Sequence, residues 1–296
     1  MIEPLARSFR RPGAGLGRRL AGARRFVGLS RLNLLAAVLV GLVVLAAVFG
    51  ELLAPFPPNQ ITLLDRLKPP SSIHLFGTDD YGRDLLSRVL TGARISLQVA
   101  TIVLSISVVV GTTLGAVAGL VGGLVDEAIM RVTDLFLAFP ALILAAAIAA
   151  TLGADLSTTV LALATVFWPW YARLVRGQVL SLREREFVLA ARVAGARTSR
   201  IVRVHLIPNV LPFVIVQLSL DVGYVILSTS ALSFLGLGAQ PPTPEWGAML
   251  TDARGYLRDA WWFPTFPGLA LAFTVVAFNL LGDGLRDWLD PRLRRR

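Results

Sequence analysis

Few side chains in this 296-residue sequence could perform covalent chemistry. The chain has no cysteine, which excludes a disulfide-built domain and a zinc–cysteine module. Its two histidines, His74 and His205, are too few for a multi-histidine metal site. We find no phosphate-binding loop of the type G-x-x-x-x-G-K-[ST], and no cluster of acid, base or metal-binding residues. We therefore expect no catalytic residue, no metal site and no cofactor bound by this chain.

Asp221 is the one acid that lies well inside an apolar run, residues 210–235. A charge at the centre of a bilayer costs roughly 2.5–3.5 kcal/mol on insertion scales, so the carboxylate must face protein or water. Asp221 could line a translocation pathway for a solute. It could equally bond to a nearby amide or hydroxyl, such as that of Gln217. The sequence leaves both roles open.

Long apolar segments must position these residues. Hydrophobic residues make up 55% of the chain and charged residues only 16%, against roughly 25% in soluble domains. Residues 95–125 contain no charge, and about 20 apolar residues suffice for a membrane helix. This composition excludes an ordinary soluble enzyme. We predict an all-α, polytopic membrane protein with six transmembrane helices. The predicted spans are 32–54, 95–122, 135–153, 156–174, 210–235 and 263–281.

Arginine clusters between these spans predict the orientation of the chain. Eight arginines lie in residues 1–31, eight in 173–203 and five in 286–296, and the net charge is +10. Cytoplasmic segments of membrane proteins carry such an excess of basic residues. We therefore place both termini in the cytoplasm, with the protein in the cytoplasmic (inner) membrane. The same distribution argues against nucleic acid as a partner, because the charge is divided among separate segments.

The predicted organisation follows from these spans and charges. We expect a cytoplasmic basic tail (1–31), a first helix with an extracytoplasmic segment (32–94), a five-helix core (95–285) and a cytoplasmic basic tail (286–296). Arg24-Arg25 hints at a twin-arginine signal peptide, but the apolar run that follows is too long for a signal core and lacks a cleavage site. An uncleaved first helix is the favoured interpretation.

The second predicted span contains a glycine every fourth residue. Missing side chains on one helix face allow another backbone to approach closely, either within the molecule or across a dimer interface. We favour packing within the molecule. The four glycines are Gly111, Gly115, Gly119 and Gly123. Pro140 and Pro169 each remove a helix hydrogen bond and should bend the third and fourth spans.

The arginine-rich loop within residues 176–208 has the pattern of two short helices. Ser181 and Glu184 form the spacing of a capping box, which predicts a helix start. Gly195 should end this helix, and Thr198 can cap a second one that leads through Pro208 into the fifth span. Small and apolar residues among arginines favour a docking element over a solvated loop, although a basic helix on the membrane surface is also possible. The candidate docking residues are Glu184, Phe187, Ala190, Ala191, Ala194, Gly195, Thr198, Ile201, His205 and Pro208.

This loop resembles the EAA loop of ABC importer permeases. In that motif Glu-Ala-Ala is followed by three residues, a glycine and nine further residues before Ile-x-Leu-Pro. Ala190, Ala191, Gly195 and Pro208 match at the right spacing, whereas Leu189 replaces the glutamate. His-Leu-Ile-Pro-Asn is similar to the form in the dipeptide/oligopeptide/nickel branch. Residues 76–97, 232–250 and 280–293 also resemble the C-type dipeptide permease subunits of that branch.

The resemblance implies the transmembrane subunit of a type I ABC importer for peptides or a related small solute. It also implies four partners besides the lipid bilayer: a second homologous permease, two cytoplasmic ATPases that hold ATP and Mg²⁺, and an extracytoplasmic solute-binding protein. The ATPases would move residues 184–206 and so drive alternating access. Nickel or glutathione-like solutes remain alternatives. So does an ion-coupled secondary carrier, for which only Asp221 qualifies, whereas a membrane enzyme lacks a reactive cluster.

Overall fold

The computed structural model describes residues 31–289, so the basic segments at 1–30 and 290–296 lie outside the described residues. Within 31–289 the regular structure is helical, and β-pairing is limited to one isolated bridge between Thr78 and Asp84. The helices are α1 (Arg31–Leu53), α2 (Leu85–Val121), α3 (Gly123–Leu137), α4 (Ala141–Leu152), α5 (Leu156–Arg183), α6 (Glu186–Val193), α7 (Thr198–Ile201), α8 (Ile207–Phe234), α9 (Trp246–Ala253) and α10 (Trp262–Leu289). A π-helical turn, Val202–Leu206, joins α7 to α8.

Four helical stretches of the described chain are long and apolar enough to cross a membrane: α1, α2, the continuous stretch Thr198–Phe234, and α10. A fifth candidate is the pair α3 and α4, which is bent by 87°. Helix α5 occupies the position of the fourth predicted span and is 28 residues long. Its second half carries three arginines, which makes it less apolar than the other long helices. The all-α membrane fold is confirmed.

Four of the predicted spans differ clearly from the observed helices, and two of these differences are extensions, of α5 to Arg183 and of α10 to Leu289. Helix α2 begins at Leu85, ten residues before the predicted start, because Asp84 accepts a hydrogen bond from the Ser87 N–H and caps it. The third predicted span, 135–153, is not one helix. Helix α3 ends at Leu137 and α4 begins after Pro140, which sits at the N-cap. The bend predicted at Pro140 is therefore a complete break.

Glycines of α2 pack within the molecule against α5. An added Cβ at Gly111 would lie 2.6 Å from Tyr171 Cβ, and one at Gly119 would lie 2.8 Å from Val179 Cγ1. Gly115 is equally close to the backbone of α5. Gly123 does not belong to this face, so that part of the prediction is wrong. Helix α2 ends at Val121, and the chain turns at two glycines with positive φ before α3 begins.

Buried charges hold together the segment between α1 and α2. Asp79 is fully buried and accepts a 2.6 Å hydrogen bond from Arg83 Nε. The Arg88 guanidinium is also buried and donates to the carbonyl oxygens of Pro58 and Pro242. Because Pro58 precedes α2 and Pro242 follows α8, Arg88 ties distant parts of the chain together. We call residues 54–84 and 235–261 the polar cap.

Two buried tryptophans extend these connections. Trp246 Nε1 donates to the Val89 carbonyl at 3.0 Å, and Trp262 Nε1 donates to the Thr78 carbonyl at 3.2 Å. An indole N–H that leaves water needs such a partner, so both rings are fixed in orientation as well as packed. The polar cap is therefore bonded to α2 and α10 at several points.

Candidate coupling hairpin and intramembrane polar site

The predicted docking loop is a helical hairpin of residues 184–206, which we call the coupling hairpin. Helix α5 continues to Arg183, so Ser181 lies inside a helix and forms no capping box with Glu184. The prediction of a helix start at Ser181 is wrong. Val175 and Val179 are buried, and their packing extends α5 past the residues that resemble a cap. Helix α6 instead begins at Glu186, and no side chain caps it.

Gly195 ends the first arm of the hairpin, as predicted. Its φ is +77°, a conformation that glycine adopts without the steric cost of a Cβ, and its N–H donates to the Arg192 carbonyl at 2.9 Å. Thr198 does not cap the second arm. Arg197 occupies the cap position and Thr198 is already the first residue of α7. The predicted cap is therefore displaced by one residue.

The two faces of the hairpin differ in burial. The inward face consists of Val188, Ile201 and Leu206, which are at most 4% exposed. Four of the predicted docking residues, Phe187, Ala190, Ala191 and Ala194, lie largely on the other face. Phe187 is 42% exposed, and only Ala191 of these four is half-buried against the core. The outward face consists of Phe187, Leu189, Ala190, Val193 and Ala194. Val193 is 89% exposed, so this apolar face has no cover within the described chain.

The hairpin is surrounded by positive charge. None of its five arginines forms an ion pair with another residue between 31 and 289. The arginines of α5, the helix that leads into the hairpin, do form ion pairs. The five arginines of the hairpin are Arg185, Arg192, Arg197, Arg200 and Arg203. His205 is half-buried, and its ring centroid lies 5.9 Å from that of Phe187. An apolar centre with a cationic rim has the composition of a protein-docking surface.

No loop separates the hairpin from the long helix that follows. The π-helical turn Val202–Leu206 leads into α8, so Thr198–Phe234 forms one helical stretch. Pro208 lies in the first turn of α8, in agreement with its predicted place before the fifth span. The hairpin is therefore continuous with α8 through helical backbone.

Asp221 has two hydrogen-bond partners. Tyr171 Oη donates to Oδ2 at 2.7 Å, and Gln217 Nε2 donates to Oδ1 at 2.9 Å. Gln217 is one of the partners that the sequence suggested, at the i,i+4 spacing of a helix. Tyr171 was not foreseen, because it lies on α5 and is brought close only by the packing of α5 against α8. Both carboxylate oxygens are satisfied by these donors.

The titratable residues of the described chain do not converge on a metal site. No group of three or more His, Asp or Glu residues in 31–289 is arranged to hold a metal ion. His74 Nδ1 lies 2.9 Å from Asp84 Oδ1 in the polar cap, whereas His205 belongs to the coupling hairpin. The described chain thus presents an exposed apolar face among arginines and a hydrogen bond between two apolar helices.

A family model described as "Binding-protein-dependent transport system inner membrane component" matches residues 111–295. The chain belongs to this family. The matched region includes the coupling hairpin and Asp221, the two features described above. A second model, the N-terminal transmembrane domain of oligopeptide transport permease C, matches residues 24–70. Membership decides against an ion-coupled carrier and against a membrane enzyme.

Several relatives of this inner membrane component are similar over most of their length. The dipeptide transport system permease protein DppC of Escherichia coli is 50% identical over 264 residues, covering 87% of this chain and 88% of the relative. The probable D,D-dipeptide transport system permease protein DdpC of Escherichia coli is 46% identical, with 89% and 88% covered. DppC of Alkalihalophilus pseudofirmus is 44% identical, with 90% and 87% covered.

The fold of this inner membrane component is also found in a solved structure. A chain of the structure titled "Inward facing conformations of the MetNI methionine ABC transporter" superimposes with a TM-score of 0.56. The match covers 68% of this chain and 96% of that chain, at 18% identity. This likeness supports the fold alone.

Proposed function

We propose that this inner membrane component is a permease subunit of an ATP-driven ABC importer that carries dipeptides or longer peptides into the cell. The relatives that match most of the chain are named for dipeptide transport, which supports the solute class. Its partners are a second homologous permease, two cytoplasmic ATPases and an extracytoplasmic solute-binding protein. ATP and Mg²⁺ bind to the ATPases, and this chain contributes no catalytic group.

The outward face of the coupling hairpin is the observation that carries the proposal. It presents exposed apolar side chains within a rim of arginines, on an element continuous with α8. An ATPase that grips this face can displace α8 without an intervening flexible loop. The bundle then alternates between inward-open and outward-open states, according to which state ATP and the solute-binding protein bind more tightly.

The proposal requires the hairpin to lie in the cytoplasm, with both termini on the same side. Arginine clusters at 1–31, 173–203 and 286–296 support this orientation. The chain has no cysteine, so a single introduced cysteine reports its own location. We expect Val193→Cys to react with a membrane-impermeant thiol reagent in inside-out vesicles, and Leu64→Cys in the polar cap to react only from the opposite side. Reversed labelling would contradict the orientation and the docking role together.

Val193→Glu tests the docking face. Val193 is 89% exposed, so a carboxylate there should leave the fold intact, and Leu64→Glu is a matched control because Leu64 is 90% exposed at the opposite end. In the purified complex we expect Val193→Glu to lower ATPase retention at least tenfold, with uptake of labelled dipeptide falling in parallel. Leu64→Glu should retain the ATPase. Full retention and uptake in Val193→Glu would exclude this face as the docking surface.

A further inference from the structure

Neighbouring helices approach the backbone of α8 most closely along its half nearest the polar cap. An added Cβ at Gly223 would lie 3.3 Å from Val275 Cα of α10, and one at Gly247 of α9 would lie 2.7 Å from the Ser230 carbonyl carbon. Ser230 Oγ also donates to the buried carboxylate of Glu245 at 2.9 Å. Close backbone approach on two sides leaves this half of α8 little freedom to shift.

The hairpin half of α8 borders open space instead. A cleft of about 430 Å³ separates it from α2 and α5. The cleft opens to the outside of the helix bundle, so this half of α8 is not packed on that side as a helix inside a protein core would be. Its wall includes Val108 and Thr112 of α2, Val175 and Val179 of α5, and Val210 and Val214 of α8.

The Tyr171–Asp221 hydrogen bond lies where the half of α8 that borders the cleft meets the half nearest the polar cap. On α8, Asp221 is two turns beyond Val214, at the edge of the cleft, and lies between two close contacts with α10, that of Leu220 with Gly282 and that of Gly223 with Val275. On α5, Tyr171 is one turn before Val175. In the part of the chain that the structure describes, this is the only side-chain hydrogen bond that joins α5 to α8.

The α5 partner in this bond is itself immobilised. Tyr171 is fully buried, and Gly111 of α2 approaches it so closely that an added Cβ would lie 2.6 Å from Tyr171 Cβ. A carboxylate within an apolar bundle is costly unless it is hydrogen-bonded, so the bond between Tyr171 and Asp221 is expensive to break. It therefore fixes one point of α8 to the rigid pair α2 and α5.

We infer that Tyr171 and Asp221 are positioning residues that form the pivot of α8. When the coupling hairpin is displaced, the hairpin end of α8 swings into the cleft while the end nearest the polar cap stays in place. The inference rests on the proposed function, because the displacing force comes from the docked ATPase. It also assigns Asp221 a mechanical role that the sequence did not separate from a solute pathway.

Spin-label distances test the swing directly in the cysteine-free chain. Labels at Thr113→Cys and Leu211→Cys lie on two walls of the cleft, whereas labels at Ile102→Cys and Leu227→Cys join the same two helices on the other side of the pivot. In the complete complex we expect ATP to change the first distance by several ångströms and to leave the second unchanged. Equal changes in both pairs would overturn the pivot.

Tyr171→Phe tests the bond, with Tyr224→Phe as the matched control. Tyr224 is on α8, is half-exposed, and its hydroxyl forms no hydrogen bond with the described residues. We expect Tyr171→Phe to lower dipeptide uptake per ATP hydrolysed at least fivefold while the ATPase stays bound, and Tyr224→Phe to change it less than twofold. A merely structural role would lower thermal stability without changing this ratio, and that result would contradict the inference.

Substitutions of Asp221 separate the pivot from a cation-binding site. Asp221→Asn keeps an oxygen that can accept the Tyr171 hydrogen bond, so it should preserve most of the coupling that Asp221→Ala loses. If Asn is as damaging as Ala, the charge itself is required and the pivot is wrong. The unmodified complex decides the proposed function separately: absence of ATP-dependent uptake there would overturn both, whereas normal uptake with an unaffected Tyr171→Phe would overturn the pivot alone.

Discussion

The two ends of the molecule differ in which side chains they bury and which they expose. At the polar cap, charges and indole N–H groups are buried and bonded to the backbone of distant segments: Arg88 of α2 donates to carbonyls in both parts of the cap, and Trp246 of the cap donates to the Val89 carbonyl of α2. At the hairpin end, apolar side chains such as Val193 are exposed and a cleft lies behind them. The first arrangement resists movement, whereas the second leaves both a surface to be gripped and the space to move into.

Ion pairs show the same contrast. Asp79 and Arg83 in the polar cap are almost wholly buried, whereas Glu127 and Arg131 on α3, near the opposite end of α2, are both largely exposed. Removing one partner of a buried pair leaves an uncompensated charge and costs roughly 3–5 kcal/mol, but an exposed pair is worth about 0–1 kcal/mol. Stability should therefore depend far more on the polar cap.

Asp79→Ala is expected to have the largest effect. It leaves Arg83 and Arg88 buried without their shared carboxylate, since Asp79 Oδ2 lies 2.6 Å from Arg83 Nε and 3.5 Å from Arg88 Nε. We expect a loss of roughly 3–5 kcal/mol in the free energy of unfolding, seen as a lower unfolding temperature in detergent. Glu127→Ala is the matched control and should cost at most about 1 kcal/mol. Equal losses would show that the two ends do not differ in this way.

A pair of glycine substitutions gives the next largest effect. Gly82 and Gly195 have nearly the same φ, +74° and +77°. Alanine at either site should therefore lower the free energy of unfolding by about 1–2 kcal/mol through backbone strain. Their surroundings differ: an added Cβ at Gly82 would lie 2.7 Å from the Thr62 carbonyl carbon, whereas Gly195 has nothing within 4 Å. Gly82→Ala should therefore cost a further 1–3 kcal/mol or so, because of the overlap.

The comparison between these two variants isolates packing from backbone strain. Both are measured as unfolding midpoints in the same detergent, and Gly195→Ala supplies the strain contribution alone. A Gly82→Ala variant no less stable than Gly195→Ala would mean that the segment around Thr62 gives way easily. The polar cap would then be looser than its hydrogen bonds indicate.

Local patterns in the sequence predicted the membrane fold, the approximate spans and the helix–glycine–helix form of the coupling hairpin. These features depend on composition and on neighbours a few residues apart, as at Gly195 and Pro208. The burial of the hairpin was less accessible. Alanines and Phe187 form a helical stripe, yet Val188 is the residue that turns inward, because the direction of a short helix is fixed by its tertiary contacts.

Contacts between distant residues could not be predicted from one sequence. Tyr171 and Asp221 are 50 residues apart, and their bond exists only because α5 packs against α8. The cluster around Asp79 is similar, because its contact with Arg88 exists only once the segment before α2 folds back against that helix. Ser181 illustrates the opposite error: a correct local cap pattern was overridden by the packing that extends α5.

The smallest predicted effect concerns Asp80, which lies beside the buried charges of Asp79 and Arg83 in the polar cap. Burial raises the pKa of the Asp80 carboxyl above its ordinary value, and the charge of Asp79 raises it further. A carboxyl with a higher pKa in the folded than in the unfolded state binds its proton more tightly when folded. Lowering the pH from neutral through the folded-state pKa should therefore stabilise the protein through this group, and raising the pH should remove that stabilisation.

Asp80→Asn removes this titration and keeps the size of the side chain. At neutral pH the variant should be more stable than the unmodified protein, and the difference should shrink as the pH falls through the folded-state pKa of Asp80, measured as unfolding midpoints. Arg83 Nη2 lies 3.8 Å from Asp80 Oδ1, which opposes the effect of burial. A less stable variant at neutral pH would show that this attraction outweighs burial, and the ionised form of Asp80 would then belong to the group of charges that hold the polar cap in place.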